Sequence, residues 1–425
     1  MKTFILIILC CFVLCSCQVS AESEEFGVEE TKFTVSRIDF LGNKENEIVE
    51  EKNQDLKGIW VSQFDMHPIF RNGSKQREKG EFTELVEKMA SNLKRDGFNT
   101  IFLQVRPNGD SMYESEVYPA SKYIAGVYGN EIDYDAISIY LEVMKRQNIS
   151  VHAWINPFRL CKEDELVSYG KGILFDWYQE GLGKRIEIGD NEILYLDPAY
   201  SEATELIVRG AKEILEKYNF DGIHLDDYFY PTEFEFNDDT EFNSSDFTNK
   251  GDFRRDNINR TVKAIYEATH SFGKIFGVAP AGNIYSLSDG WYVDIYKWCS
   301  EEGFVDYIMP QLYFGFNNKV CPFDKVLADW ADAVSCTKIK LYIGLSAAKC
   351  ELGTLGVEDE HAGEIGKLEW QENKDILSRS LLEIEKQEKA DGVCIFTYSS
   401  FYDPITGDDN PNTIEEKYAF CQVMK

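Results

Sequence analysis

SEATELIVRGAKEILEKYNFDGIHLDDYFYP, Ser201 to Pro231, changes period part-way along. From Ser201 to Phe220 the apolar residues recur at helical spacing. From Gly222 the pattern becomes a short β-type run that ends in adjacent aspartates. Charges placed directly after an apolar run are costly to bury, so the run reads as a strand whose end opens on polar surroundings. Within GIHLDDYF, Ile223 and Leu225 take one face, and His224 and Asp226 take the other.

Working outward, the same unit recurs. Short β-type runs stand at KGIWVSQFDM, NTIFLQVRP, SVHAWINPF, KIFGVAPAGN, VDYIMPQLYF, KLYIGLSAA and GVCIFTYSS, which with GIHLDDYFYP makes eight. Amphipathic helical stretches separate them, among them FTELVEKMASNLKRDGF, DYDAISIYLEVMKRQN and RRDNINRTVKAIYEATHSFG. No Gly-rich phosphate loop follows the first run. Strict alternation therefore predicts an α/β fold, a (β/α)8 TIM barrel over residues 56–425 with TIEEKYAFCQVMK as its eighth helix. Long connections follow the third strand (Phe158 to about Tyr200), the fourth (Phe229 to about Phe253) and the seventh (Ala347 to about Glu372). All fall at the C-terminal face, where barrels of this kind build their sites.

The chain has 425 residues, 44% of them hydrophobic and 14% aromatic, enough for a large core and a stacking surface besides. A formal net charge of −30 argues against nucleic acid or an anionic membrane surface as the main partner. The N-terminal MKTFILIILCCFVLCSC pairs one Lys with an apolar run too short to span a bilayer comfortably, a signal peptide over residues 1–17. Leu14-Cys15-Ser16-Cys17 is similar to a bacterial lipobox, so lipidation at Cys17 is expected, and with it attachment to a membrane facing the cell surface or periplasm. Cleavage near Ala21, giving a soluble secreted protein, is the alternative. Residues 18–55 form an acidic, weakly periodic tether. Cys161, Cys299, Cys321, Cys336, Cys350 and Cys394 are scattered without CxxC or Cys/His spacing, and no metal site or cofactor is expected.

Strand parity brings polar groups to one mouth. The inward set comprises Phe102, Gln104 and Arg106 on the second strand and His152, Trp154 and Asn156 on the third. His224 and Asp226 join them from the fourth, and Tyr307, Met309, Gln311 and Tyr313 from the sixth. Two carboxylates in a cleft edged by aromatics and amides suit glycoside hydrolysis, one acid protonating the leaving oxygen while another stabilises or captures the oxocarbenium centre. Asp226 is the expected nucleophile or stabiliser. Asp227 is the first candidate for the acid/base and Asp110 the second, with Glu116 also in reach of that role. Because neighbours on one strand point in opposite directions, Asp227 can serve only if the strand ends or bulges there. Buried charge networks around Arg106 or His224 would explain the same aspartates structurally. His152 and His224, deeper in the barrel, read as hydrogen-bonded fillers. Arg106, Asn156, Arg159, Tyr228, Tyr230, Gln311, Tyr313 and Tyr398 are the expected substrate contacts, though a barrel-mouth salt bridge accounts equally well for Arg106, and loop bracing for Asn156 and Arg159.

GIWVS, IFLQVRPNGDSMYESEVYPAS, HAWINPFR, LDPAYSEATELIVRG, YNFDGIHLDDYFYP, DFRRDNINR, FGVAP and DYIMPQLYFGF, in that order from about Lys57 to Phe316, resemble the glycosyl hydrolase-like 10 family of bacterial lipoproteins and secreted proteins. The resemblance implies a (β/α)8 barrel that hydrolyses glycosides, with members acting on peptidoglycan glycan strands stripped of their peptides. On matched positions it carries over Arg106, Asp110, Asn156, Arg159, Asp226, Asp227, Tyr228, Gln311 and Tyr313. Departures are Asp197-Pro198-Ala199, where relatives often have Asn-Pro-Gly, and Phe314 in place of a common Trp. Chitinase-type barrels end their fourth strand in DGxDxDxE, and here Tyr228 stands where that glutamate belongs, against a substrate-assisted mechanism. The expected function is thus an extracytoplasmic, lipid-anchored glycosidase acting on an amino-sugar polymer, with peptide-free peptidoglycan glycan as its polysaccharide substrate. A glycosidase for another dietary or host polysaccharide, and a non-catalytic glycan-binding lipoprotein, are the alternatives.

Overall fold

The computed structural model describes residues 55–226, 229–231 and 236–424. The signal peptide, Cys17 and nearly all of the tether lie outside the described residues. Eight parallel strands close into a barrel: β1 (Leu56–Val61), β2 (Thr100–Arg106), β3 (Ser150–Ile155), β4 (Gly222–Leu225), β5 (Ile275–Val278), β6 (Tyr307–Ile308), β7 (Lys340–Ser346) and β8 (Ala390–Phe396). Each pairs with its successor, and β1 closes the ring by pairing Gly58 with Cys394 of β8 on one side and Thr100 of β2 on the other. All eight β-type runs of the sequence become barrel strands.

Eight helices form the outer layer: α1 (Lys79–Asp96), α2 (Ala136–Arg146), α3 (Ser201–Lys217), α4 (Lys250–His270), α5 (Ile295–Ser300), α6 (Phe323–Ala333), α7 (Ile376–Lys386) and α8 (Ile414–Met424). In α3 the buried residues Ala203, Leu206, Ile207, Gly210, Ala211 and Ile214 follow helical spacing and form one stripe. Each buried Leu or Ile on such a stripe contributes about 1.5–3 kcal/mol relative to exposure. The outward strand residues, Ile101, Leu103, Val151, Ala153, Ile223 and Leu225 among them, meet these stripes in one continuous core. A second apolar cluster fills the barrel itself, with Trp60, Phe102, Trp154, Tyr307, Met309 and Cys394. Gly277 makes room for it, since a Cβ there would stand 2.2 Å from the Tyr307 ring.

The long connections lie after the strands, as expected. After β3 the chain builds a three-stranded antiparallel sheet from Arg159–Lys162, Ile193–Leu196 and Ile186–Ile188, the second of these in the middle. After β7 it forms Ala347–Thr354 and shorter helical turns up to Glu372. Cys161, Cys299, Cys321, Cys336, Cys350, Cys394 and Cys421 are all free thiols.

Candidate active site at the barrel mouth

The floor of the mouth is a hydrogen-bonded set of rings. Trp60 donates its indole N–H to Nε2 of His224 at 3.0 Å, and Nδ1 of His224 lies 3.0 Å from the Tyr307 hydroxyl. Nδ1 of His152 is 3.2 Å from the same hydroxyl. An indole only donates, so Nε2 of His224 accepts and Nδ1 carries the proton toward Tyr307. The tyrosine then has its own proton for His152. Both imidazoles are neutral: burial brings His152 down to about 4 and His224 well below the ordinary histidine range. Phe102 lies between them, 4.5 Å from the His224 ring and 5.0 Å from that of His152. The histidines are fillers, in agreement with the sequence reading.

Above this floor β4 ends at Leu225, and Asp226 follows as the first residue past the strand, 5% exposed. Asn156, just past β3, donates Nδ2 to both carboxylate oxygens of Asp226, at 2.8 and 2.7 Å. Its own Oδ1 accepts from Nε2 of Gln104 on β2 at 2.8 Å. Oε1 of Gln104 accepts the backbone N–H of Gln63 at 2.8 Å, and Oε1 of Gln63 accepts from Nδ2 of Asn108 at 3.1 Å. Gln63 opens the short helix Gln63–Phe70, where a first-turn N–H has no partner within the helix. Gln104 supplies that partner. A chain of amides thus runs around the mouth from the β1 loop to Asp226.

The arrangement suits chemistry at an electron-poor centre. Both carboxylate oxygens of Asp226 face the Asn156 amide nitrogen, which fixes the carboxylate plane at the mouth. Phe396 of β8 and Tyr313 lie against each other, ring centres 5.7 Å apart and tilted by 31°, and Phe396 also meets Trp60 edge-on at 6.2 Å. Gln311 is half-buried and donates Nε2 to the Ala279 carbonyl at 3.0 Å.

The family described as glycosyl hydrolase-like 10 matches residues 55–359, most of the barrel. The chain belongs to this family. "Glycosyl hydrolase YngK" of Bacillus subtilis (strain 168) is 29% identical over 354 residues, covering 75% of this chain and 64% of the relative, just under two thirds of its length. "Glycosyl hydrolase DigH" of Escherichia coli (strain K12) is 28% identical over 347 residues, covering 72% and 76%. Among solved structures, the PgaB (BpsB) glycoside hydrolase domain of Bordetella bronchiseptica superposes with a TM-score of 0.55 at 12% identity, over 87% of this chain and 99% of that one. The catalytic domain of a β-amylase from Paenibacillus polymyxa superposes at 0.53 and 10% identity, over 87% and 98%. These two share the barrel fold.

In this glycosyl hydrolase-like 10 barrel the expected site residues separate into groups. Asp226, Asn156, Gln311 and Tyr313 belong to the mouth. Asp227 and Tyr228 lie outside the described residues. Arg106 does not face the mouth: the β2–β3 register slips after Gln104–Trp154, so that Arg106 pairs with outward-facing Ile155 and points to α3. Its guanidinium packs on Tyr118. Tyr398 is likewise corrected, because the chain turns into the helix Tyr398–Phe401 directly after β8 and carries the ring into the outer core. There its hydroxyl meets Asn92 of α1 at 3.4 Å. Tyr230 is fully buried, its hydroxyl donating to Asp238, so it braces the loop after β4 instead of lining the cleft.

Asp110 is 1% exposed and is not brought beside Asp226. It accepts the N–H of Asn108 at 2.9 Å, at the far end of the amide chain, and burial raises its carboxyl to about 6. Glu116 lies outside the barrel, its N–H bonded to Glu213 of α3 at 2.6 Å. Arg159 is half-buried on the small antiparallel sheet, paired with Tyr195. Asp197 is wholly buried and accepts the Ala199 N–H at 2.8 Å, bracing a turn.

Sequence reasoning missed the roles of Gln63, Asn108 and Phe396. One signal was present for the first: Ser62 and Asp65 form a capping box, with the Ser62 N–H donating to Asp65 at 2.6 Å. That box marks the start of a helix immediately after β1, hence a free N–H at Gln63.

Proposed function

We propose that the protein hydrolyses glycosidic bonds in the peptide-free glycan strands of peptidoglycan, held outside the cytoplasm by a lipid on Cys17. The observation that carries the reading is the Asp226 carboxylate at the barrel mouth, held at both oxygens by Asn156. It acts there as nucleophile or as stabiliser of the oxocarbenium centre. Asp227, the next residue in the sequence, is the proton donor in this reading.

Stripped glycan strands carry a free lactyl carboxylate on each muramic acid. With Arg106 committed to α3, Arg159 is the arginine left to pair with it. Tyr313 and Phe396 offer aromatic surface for a sugar ring. The acidic protein as a whole, with its formal charge of −30, makes such a local cation the means of holding an anionic glycan.

The test is mass spectrometry of products after incubating the chain without its leader, beside Asp226→Asn, with peptide-free glycan strands and with intact peptidoglycan. Fragments of the stripped strands from the wild type alone support the reading, and their reducing-end sugar names the bond. Binding without products in both proteins would instead support a glycan-binding protein.

A further inference from the structure

The amide chain at the mouth has a direction, and the direction is set from one end. The Gln63 backbone N–H can only donate, so it must face Oε1 of Gln104, 2.8 Å away. The opposite end of that amide, Nε2, is thereby turned to Asn156, 2.8 Å from Oδ1. Asn156 must then present its NH2 to Asp226, as it does at 2.8 and 2.7 Å. Gln104 and Asn156 are 6% and 3% exposed, so water has little room to supply alternatives. Were either amide turned over, two carbonyl oxygens or two NH2 groups would face each other in the barrel mouth, each left unpaired.

We infer that Gln104 is a positioning residue for glycoside hydrolysis: by fixing the amide orientation of Asn156 it holds the Asp226 carboxylate as an acceptor at both oxygens. This rests on the proposed role of Asp226. It extends that role to a residue on a different strand that touches neither Asp226 nor the scissile bond. His224, two residues before Asp226, is neutral and engaged with Trp60 and Tyr307, and Asp110 sits at the other end of the chain beyond Gln63 and Asn108. The orientation therefore originates at the helix start after β1.

Gln104→Glu tests the idea with the shape of the side chain retained. A carboxylate at 104 still accepts the Gln63 N–H, but it has no donor for Oδ1 of Asn156, so neither orientation of that amide satisfies both of its neighbours. The first readout needs no substrate: hydrogen exchange of the Asn156 side-chain NH2 in the 15N-asparagine-labelled chain, its resonances assigned by their loss in Asn156→Leu. Exchange at least about tenfold faster in Gln104→Glu than in wild type is expected. Gln104→Met, which removes the donor without adding charge, should also speed it and supplies the test if the glutamate variant does not fold. The second readout is kinetic. On peptide-free glycan strands, kcat should fall about 10²-fold in Gln104→Glu, as for a misplaced catalytic group, with KM within about threefold of wild type.

Unchanged Asn156 exchange in both variants overturns the inference, as does wild-type kcat in Gln104→Glu on a glycan that the wild type cleaves. Faster exchange together with a wild type that leaves the stripped glycan intact supports the orienting role and removes the proposed substrate instead.

Discussion

The guanidinium of Arg106 lies over the ring of Tyr118, 4.6 Å from its centre. Nη1 also reaches the Ile207 carbonyl at 3.4 Å, and it fits only because residue 210 is glycine, where a Cβ would stand 2.3 Å from that nitrogen. Such a cation is a clasp between β2 and α3. Arg106→Met is expected to cost about 1–3 kcal/mol in denaturant unfolding, the worth of a buried cation–π contact and a hydrogen bond to a charged group. KM for glycan should stay within about twofold. A raised KM with unchanged stability would return Arg106 to the substrate side of the barrel.

Asp197 predicts an unusual pH response. Burial, with Glu241, Asp238 and Glu187 nearby, raises its carboxyl to about 8, although the Ala199 N–H opposes the shift. Its Oδ2 is buried with no hydrogen-bond partner among the described residues. Its folded-state value lies above the unfolded 3.8, so the native state binds the proton more tightly. Stability is fully present below about pH 4 and is lost as pH rises toward 8, at up to ~1.4 kcal/mol per pH unit. Asp197→Asn keeps the acceptor for Ala199 and removes the titration. Thermal unfolding should show the variant gaining on wild type from pH 5 to pH 8. Parallel curves would mean that Asp197 is ionised in the fold.

The barrel was legible because each strand is short, apolar and followed by helical spacing, and β4 kept its parity: Ile223 and Leu225 face the helices while His224 faces the floor. Asp226 was legible for the same reason. Arg106 was not, because an irregular register on β2 reverses every side chain beyond it, and nothing in QVRP announces the slip. Tyr398 was lost because the chain leaves β8 at Phe396 and enters a helix at Tyr398, which carries that ring away from the mouth. Asn156 was found as a polar mouth residue, yet its partner is Asp226, a relation between strands that spacing within one strand cannot express.

The ring floor makes a separate prediction. Tyr307 joins both histidines through one hydroxyl, at 3.0 and 3.2 Å. Tyr307→Phe leaves two buried imidazole nitrogens without that partner, at about 1–3 kcal/mol each, and should lower the thermal midpoint with the barrel otherwise intact. His152 is neutral in the fold down to about 4, whereas unfolded it protonates near 6.5. The unfolded state therefore gains protons first as pH falls between those values, and acidification through that window removes stability. His152→Phe should flatten this part of the wild-type curve in calorimetry from pH 7 to pH 4. An unaltered slope would place a charge on His152 in the native barrel.

Arg254 and Asp238 brace the loop that follows Asp226. Nε and Nη2 of the arginine donate to the two carboxylate oxygens at 2.8 and 2.7 Å, and its guanidinium lies between Tyr230 and Tyr292, 5.0 and 4.8 Å from their rings. Burial pushes Asp238 up, but the bonds from Arg254, Lys250 and Tyr230 outweigh it and hold the carboxyl at about 2. Its folded value is below the unfolded 3.8, so this stability is present above about pH 4 and is lost as pH falls toward 2. Arg254→Met removes the two-pronged donor of a wholly buried carboxylate, leaving only Lys250 and Tyr230 on it, and should cost about 1–3 kcal/mol at pH 7. Lysine cannot reproduce the two-pronged donor, so Arg254→Lys should recover only part of that. In the methionine variant burial wins and Asp238 takes up a proton on acidification, so the deficit should shrink from pH 7 toward pH 4. Denaturant unfolding at the two pH values reads this directly; a deficit that stays constant would mean that Lys250 and Tyr230 suffice to hold the charge, and that Arg254 contributes packing alone.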